Sequence, residues 1–346
     1  MILPGNYAVT LVLLILSLLF WGSWANTFKL TQKWRYELYY LDFSVGVVMA
    51  AFIAALTLGT LGWDGFSLLD DVRNAGKRQD MYALTAGAAF NLGNMLLVAS
   101  LSLAGMSVAL PIGLGTALIV GVIWTYFQSN GVNAVFLALG SLAVATGVVL
   151  TIAAYRSHLA WTRKQEPPVP AVKGKPVRRV PASRAIILGI TAGVLLGSYF
   201  PLIQAARETE VGLGPYSIAL IFGIGVMLTT LLYSLFFMNL PVQGEPVGIG
   251  DYLKGTARQH GVGIFGGMIF SAGAIASLVA YRAEGPAHAA PALSYAMAQG
   301  APVIASLWGL FAWKEFAGAE PQARGFIYLT LVLFTAGIAA VAFAIS

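Results

Sequence analysis

Cysteine is absent from the 346 residues, which excludes disulfides, thiolate metal sites and cysteine nucleophiles. Histidine occurs three times, as His158, His260 and His288, each in a loop or at the end of an apolar segment. Charge is scarce as well. Asp, Glu, Lys and Arg together make up 10% of the chain, where soluble domains carry about 25%. No zinc-protease, Ser/His/Asp or paired-carboxylate arrangement can be drawn from so few groups at depth, which argues against an intramembrane enzyme. No cofactor motif is present, and no metal site is expected.

What fills the chain instead is hydrocarbon. Apolar residues are 58% on a set that counts Tyr but not Gly, and exchanging 14 Tyr for 39 Gly raises the share to about 65%. A water-soluble globule has no means of hiding that much apolar surface. Reading apolar runs between polar breaks predicts ten membrane helices. They are Tyr7 to Phe28, Leu41 to Leu61, Met81 to Leu103, Met106 to Phe127, Val132 to Tyr155, Ala185 to Ala206, Leu213 to Leu240, Gly261 to Tyr281, Ala287 to Trp313 and Gly325 to Ile345. The expected fold class is an all-α polytopic membrane protein. Lys29, Lys33 and Arg35 follow the first run and no basic residue precedes it, the reverse of a cleavable signal peptide, so that helix is expected to be retained.

The longest polar break, 156–184, splits the spans five and five and carries 8 of the 20 basic residues. Its Pro167, Pro168, Pro170, Pro176 and Pro181, interleaved with basic residues, read as a linker that packs no core. Three units follow: a first five-helix unit over 1–155, the basic Pro-rich linker, and a second five-helix unit over 185–346. Odd-numbered loops hold 15 basic residues and even-numbered loops 5, so the linker is expected in the cytoplasm and both termini outside, in a plasma (inner) membrane. Lipid and topology account for the net charge of +6, and no nucleic acid is implied. Nothing in the sequence requires an oligomer.

The halves echo one another. Gly87, Phe90 and Gly93 recur 180 residues later as Gly267, Phe270 and Gly273, and Gly105, Ala109 and Pro111 recur as Gly285, Ala289 and Pro291. Trp124 and Phe127 match Trp308 and Phe311 at an offset of 184, and Gly22-Ser23 resembles Gly197-Ser198. Two five-helix units joined across an odd number of crossings lie inverted, the geometry of alternating access.

Several segments carry a family likeness. They are Phe20-Trp21-Gly22-Ser23-Trp24-Ala25-Asn26, Tyr39-Tyr40-Leu41-Asp42-Phe43-Ser44, Asn91-Leu92-Gly93-Asn94, and Leu307-Trp308-Gly309-Leu310-Phe311 with Lys314-Glu315-Phe316. With them the chain resembles, over nearly its whole length, the ten-helix branch of the drug/metabolite transporter superfamily. Within that branch it is similar to the ureide permeases and the glucose/ribose porters. The resemblance implies a multi-pass permease for a small solute. Plant ureide permeases carry a nucleotide-binding-like Gly-Lys motif in the central loop. Here Gly174-Lys175 is followed by Pro176 with no upstream Gly at Walker spacing, so no ATP site is implied.

Polar side chains at mid-depth need partners and therefore mark candidate positions. Asn91 and Asn94 share a stripe with Gly87 and Phe90 in span three, where two carboxamides beside a glycine either meet a solute or tie helices together. Gln299 and Tyr295 lie on one stripe of span nine near Pro302 and Ser306. Ser271 takes the place of Asn91 in the second half. Thr116 in span four, Ser198 and Tyr199 before a kink at Pro201 in span six, and Trp21 in span one complete the deep set. Asn26 joins it through the resemblance. Trp24 and Phe28, near the inner boundary, read as an interfacial belt. Asp42, Lys314 and Glu315, near cytoplasmic span ends, either form a gate or coupling site or serve as structural pairs.

No Asp, Glu, Lys, Arg or His falls in the middle third of any span so drawn. A charged cargo or a carboxylate proton relay needs one there, so the expected partner is a small neutral polar solute. An Asn, Gln and aromatic lining suits a ureide, a nucleobase or a monosaccharide, moved by rocking the two units around a central pocket. Binding without flux, as in a membrane receptor, is the alternative. Gly and Pro inside spans four, six and nine offer bending points.

Overall fold

The structure, a computed structural model, describes residues 1–31, 34–128, 132–165, 181–207 and 212–345. Lys33, much of the linker with its Pro167, Pro168, Pro170 and Pro176, and the Gly174-Lys175 pair lie outside the described residues. Every regular element among the described residues is helical, as lipid demands: each backbone N–H and C=O must be satisfied within its own segment.

In the first half α1 (Tyr7–Ser23) and α2 (Asn26–Leu30) form one crossing, followed by α3 (Tyr36–Leu56), the short α4 (Leu68–Asn74), α5 (Lys77–Ala104), α6 (Met106–Gln128) and α7 (Ala134–Gln165). The second half runs through α8 (Ala182–Ser198) and α9 (Phe200–Arg207), then α10 (Pro215–Asn239), the short α11 (Ile249–Leu253) and α12 (Ala257–Tyr281). It ends with α13 (Pro291–Gln299), α14 (Ala301–Leu307), a π-helical turn (Trp308–Ala312) and α15 (Pro321–Ala344). Local chemistry marks the starts. Asn6 caps α1 by accepting from Val9 N at 3.0 Å, Thr256 and Gln259 close a capping box on α12, and Pro215, Pro291 and Pro321 open α10, α13 and α15.

Counting α1 with α2 and α8 with α9, nine helices among the described residues are long and apolar enough to cross a bilayer. The expected single span Ala287 to Trp313 is instead a broken segment: α13 stops at Gln299, α14 restarts at Ala301, and the chain then widens into the π turn. Gly300 at the break and Pro302, which has no N–H for the carbonyl one turn back, are the cause. The first span breaks at Trp24-Ala25 and the sixth at Tyr199, beside Pro201. Span four does not break, because α6 runs unbroken through Pro111. Helix α7 continues to Gln165, so the segment from 156 onward starts as helix rather than as linker.

Two faces follow from the loop contacts. On one, Arg35 donates to Glu245 O at 2.8 Å and Trp161 to Gly318 O at 3.0 Å; it is the face where α7 ends and α8 begins, here the linker face. On the other, the Met1 amine donates to Asp64 O at 2.8 Å and Asn133 N to Ala344 O at 2.9 Å; this is the termini face.

Helices cross where glycine removes the side chain. A Cβ on Gly46 of α3 would lie 1.9 Å from Ile264 O, and one on Gly267 of α12 would lie 1.9 Å from Phe43 O. At the matching crossing between the halves, a Cβ on Gly87 of α5 or on Gly225 of α10 would meet Phe222 O at 2.1 Å or Leu84 O at 2.2 Å. Backbones in contact are how helices associate in lipid. Gly87 thus admits a neighbouring helix rather than a solute. The pairings α3 with α12, α1 with α12 and α6 with α8 each recur with the halves exchanged, as α10 with α5, α8 with α5 and α14 with α1, while α7 packs on α15.

Candidate functional site

A cleft of about 630 Å³ enters from the termini face, past Thr125, Gln204, Tyr281 and Ala344, and descends to Trp21, Trp24, Phe90, Asn94, Leu97 and Phe270. The breaks in the helices shape it: Ala298, Gln299, Ala301 and Pro302 line one wall at the gap between α13 and α14, and Tyr199, Phe200 and Gln204 line another at the gap between α8 and α9. Among the described residues, no Asp, Glu, Lys, Arg or His lines it. The floor is aromatic. Trp21 stacks on Phe270 with centroids 6.3 Å apart, Phe270 stacks on Phe90 at 4.8 Å, and Trp24 meets Phe270 edge-on at 6.1 Å. Trp24 is therefore a core residue, 3% exposed, and not part of an interfacial belt. The α1–α2 break turns its ring inward.

Two residues of the lining carry buried polar atoms without partners. Trp21 Nε1 and Tyr295 Oη are both buried and neither makes a hydrogen bond among the described residues, although both residues line the cleft. A buried unpaired donor costs about 1–3 kcal/mol.

Of the residues singled out from sequence, the cleft gathers Asn94, Gln299, Trp21, Tyr199 and Tyr295. The other five lie elsewhere. Asn91 is stitched to α10, its Nδ2 donating to Val226 O at 3.0 Å, Thr229 Oγ1 at 2.8 Å and Thr230 Oγ1 at 3.1 Å. Ser271 is buried outside the lining. Thr116 and Ser198 donate back to Ile112 O and Val194 O, 2.7 and 2.8 Å away on their own helices. Asn26 accepts from Trp313 Nε1 at 2.6 Å. Gln204, Ser277 and Ser294 line the cleft and were not singled out. Each lies away from mid-depth, and the only pointer to any of them in the sequence is Pro201, whose break places Gln204.

Beneath the floor the linker face is closed by polar contacts. Trp308 Nε1 donates to Ser23 Oγ at 2.9 Å, Trp313 Nε1 to Asn26 Oδ1, and Lys29 Nζ to Glu315, with the ammonium 5.0 Å from the Trp313 ring centroid. Ser23, Asn26 and Lys29 follow one another at intervals of three along α1–α2, and the π turn sets Trp308 and Trp313 to meet them. Glu315 also accepts from Met106 N at 2.8 Å and Ser107 N at 2.7 Å at the start of α6, where an anion is favoured. The approach requires Gly105, whose φ of +83° and lack of Cβ leave room for the carboxylate. Lys314 is exposed, at φ +51°, and takes no part.

A second cluster pins α3 to α12. Asp42, 1% exposed, accepts from Tyr252 Oη at 2.6 Å, and His260 Nδ1 lies 2.9 and 3.0 Å from its two oxygens. Burial, reinforced by the Asp42 carboxylate, pushes the Tyr252 hydroxyl above its ordinary pKa, so it stays a donor.

Comparison with known proteins agrees with this architecture. A family model described as ureide permease matches residues 39–168. Ureide permease 1 and Ureide permease 5 of Arabidopsis thaliana are each 22% identical to the chain over 94% of its length, covering 94% and 91% of their own. Ureide permease 3 of the same plant is 28% identical over 36% of the chain and 37% of its own. A solved crystal structure, 18% identical and with 98% of each chain aligned, superposes with a TM-score of 0.55 and shares the fold. The chain is a multi-pass membrane protein similar to the ureide permeases.

Proposed function

We propose that this permease carries a small neutral polar metabolite of the ureide or nucleobase type by alternating access. It would be a member of the ten-helix branch of the drug/metabolite transporter superfamily, inserted in the plasma (inner) membrane with both termini outside and the linker in the cytoplasm. The observation that carries the reading is a cleft open at one face, closed at the other, and lined by carboxamides, hydroxyls and aromatic rings, with no charged group among the described residues. A flat uncharged ring stacks on Trp21 or Phe270 while its polar edge meets Asn94, Gln299 and the unpartnered Trp21 and Tyr295. The names of the relatives favour a ureide over a monosaccharide.

Two inverted units, 1–155 and 185–346, supply the motion. The recurrence of helix pairings when the halves are exchanged supports this symmetry, and so do the paired glycine crossings. In the orientation above, the contacts between 23–29 and 308–315 close the cytoplasmic side. Their release, with closure of the opposite mouth, would turn the cleft over. Asp42 holds two helices together, and Glu315 belongs to the closed side.

The test is counterflow. Purified full-length protein in liposomes loaded with allantoin, uracil or glucose should accumulate the labelled ureide or nucleobase saturably, and glucose poorly. Saturable binding with no flux would instead identify a receptor, and preference for glucose would replace the solute class.

A further inference from the structure

We infer that Tyr40 is a positioning residue that decides which end of the Asn94 carboxamide the cleft presents. This deepens the permease reading, on which it rests. Tyr40 is fully buried on α3 and outside the cleft lining. Its hydroxyl lies 3.4 Å from the backbone oxygen of Asn91 and 3.0 Å from the side-chain amide of Asn94. A carbonyl oxygen only accepts, so the hydroxyl proton goes to Asn91 O. The lone pair then left toward Asn94 can be met only by a donor, which is Nδ2. Asn91 is held for this task, since its own amide is spent on α10.

The carbonyl end of Asn94 is thereby turned away from Tyr40, and it accepts no hydrogen bond among the described residues. Asn94 is 2% exposed and lines the cleft floor with Trp21. The floor therefore offers an acceptor from Asn94. Its complement is a solute edge that carries N–H. Without the Tyr40 hydroxyl the carboxamide can turn over, the acceptor becomes a donor, and the N–H of the solute loses its partner.

The probes are imidazolidin-2-one and 1,3-dioxolan-2-one, rings of the same shape in which the N–H groups of the first are replaced by oxygen in the second. Calorimetric titration of the purified full-length protein should show the urea bound at least about ten-fold more tightly than the carbonate. In Tyr40→Phe, which keeps the ring that packs 5.1 Å from Phe43, that ratio should fall about ten-fold, toward one. A purely packing role for Tyr40 would move the melting temperature and leave the ratio alone, and that result overturns the inference. Should Tyr40→Phe fail to accumulate, Asn94→Asp titrated at alkaline pH is informative, because both oxygens of the ionised carboxylate accept: the preference for the urea should keep its sign, and reversal or loss overturns the inference. A ratio unchanged in Tyr40→Phe but lost in Asn94→Ala removes the role of Tyr40 and leaves the permease reading standing. A wild-type protein that binds neither ring removes the ureide-like solute class and the inference with it.

Discussion

Asn91 and Asn94 stand three residues apart on one helix and do different work. Asn91 spends its amide on three acceptors of α10, so Asn91→Ala should lower stability by about 1–3 kcal/mol while leaving solute affinity near wild type; the melting temperature and a titration read the two effects separately. Trp21 is the converse case, with its ring stacked and its N–H unsatisfied. Trp21→Phe should retain the stack, lose one hydrogen bond to a carbonyl-bearing solute, and weaken binding about ten-fold without destabilising the protein. Unchanged affinity in that variant would mean that the indole N–H faces no solute.

Each interruption in the helices supplies a wall or a latch. The gap between α13 and α14 opens the cleft wall at Gln299, and the π turn beyond it delivers Trp308 and Trp313 to α1–α2. A chain without cysteine makes the latch measurable. A reporter thiol introduced as Ala298→Cys in the cleft should resist an impermeant maleimide applied from the linker face, and should react several-fold faster once Glu315→Gln breaks the pair with Lys29 and weakens the tie to α6. An equal rate in both backgrounds would reject the latch. The glycine crossings are rigid by contrast. Gly267→Ala would place a methyl 1.9 Å from Phe43 O, and the forced separation of α3 and α12 should cost about 1–3 kcal/mol, read as a fall in melting temperature.

Taken together, the bundle is a cup open to the termini face. If both termini are outside, the same Ala298→Cys thiol should react readily with maleimide added to intact cells, and saturating solute should slow it. Epitope tags at either terminus should be reached by antibody without permeabilising the cells. A tag reached only after permeabilisation would invert the orientation and make the cleft face the cytoplasm. Among the described residues the lining is neutral and leaves no group at the floor that a bound solute would have to neutralise.

Much of this was legible in the residues. Hydropathy alone places most of the spans, because lipid imposes a single rule on every backbone polar group, but α7 runs on past Tyr155 to Gln165 and the expected ninth span is broken. The scarcity of charge at depth points to a neutral cargo for a related reason. The internal echo pairs Gly87 with Gly267, and the two sit at matching helix crossings. Depth along a helix, however, does not state which neighbour a side chain meets. Asn91 and Asn94 read alike in sequence, yet rotation about the helix axis sends one to α10 and the other to the cleft. Trp24 reads as a membrane-boundary ring until the break after Ser23 turns it inward. Hydropathy is a property of each residue in its solvent, whereas a binding site is a property of which helices touch, and contacts among segments far apart in the chain settle that.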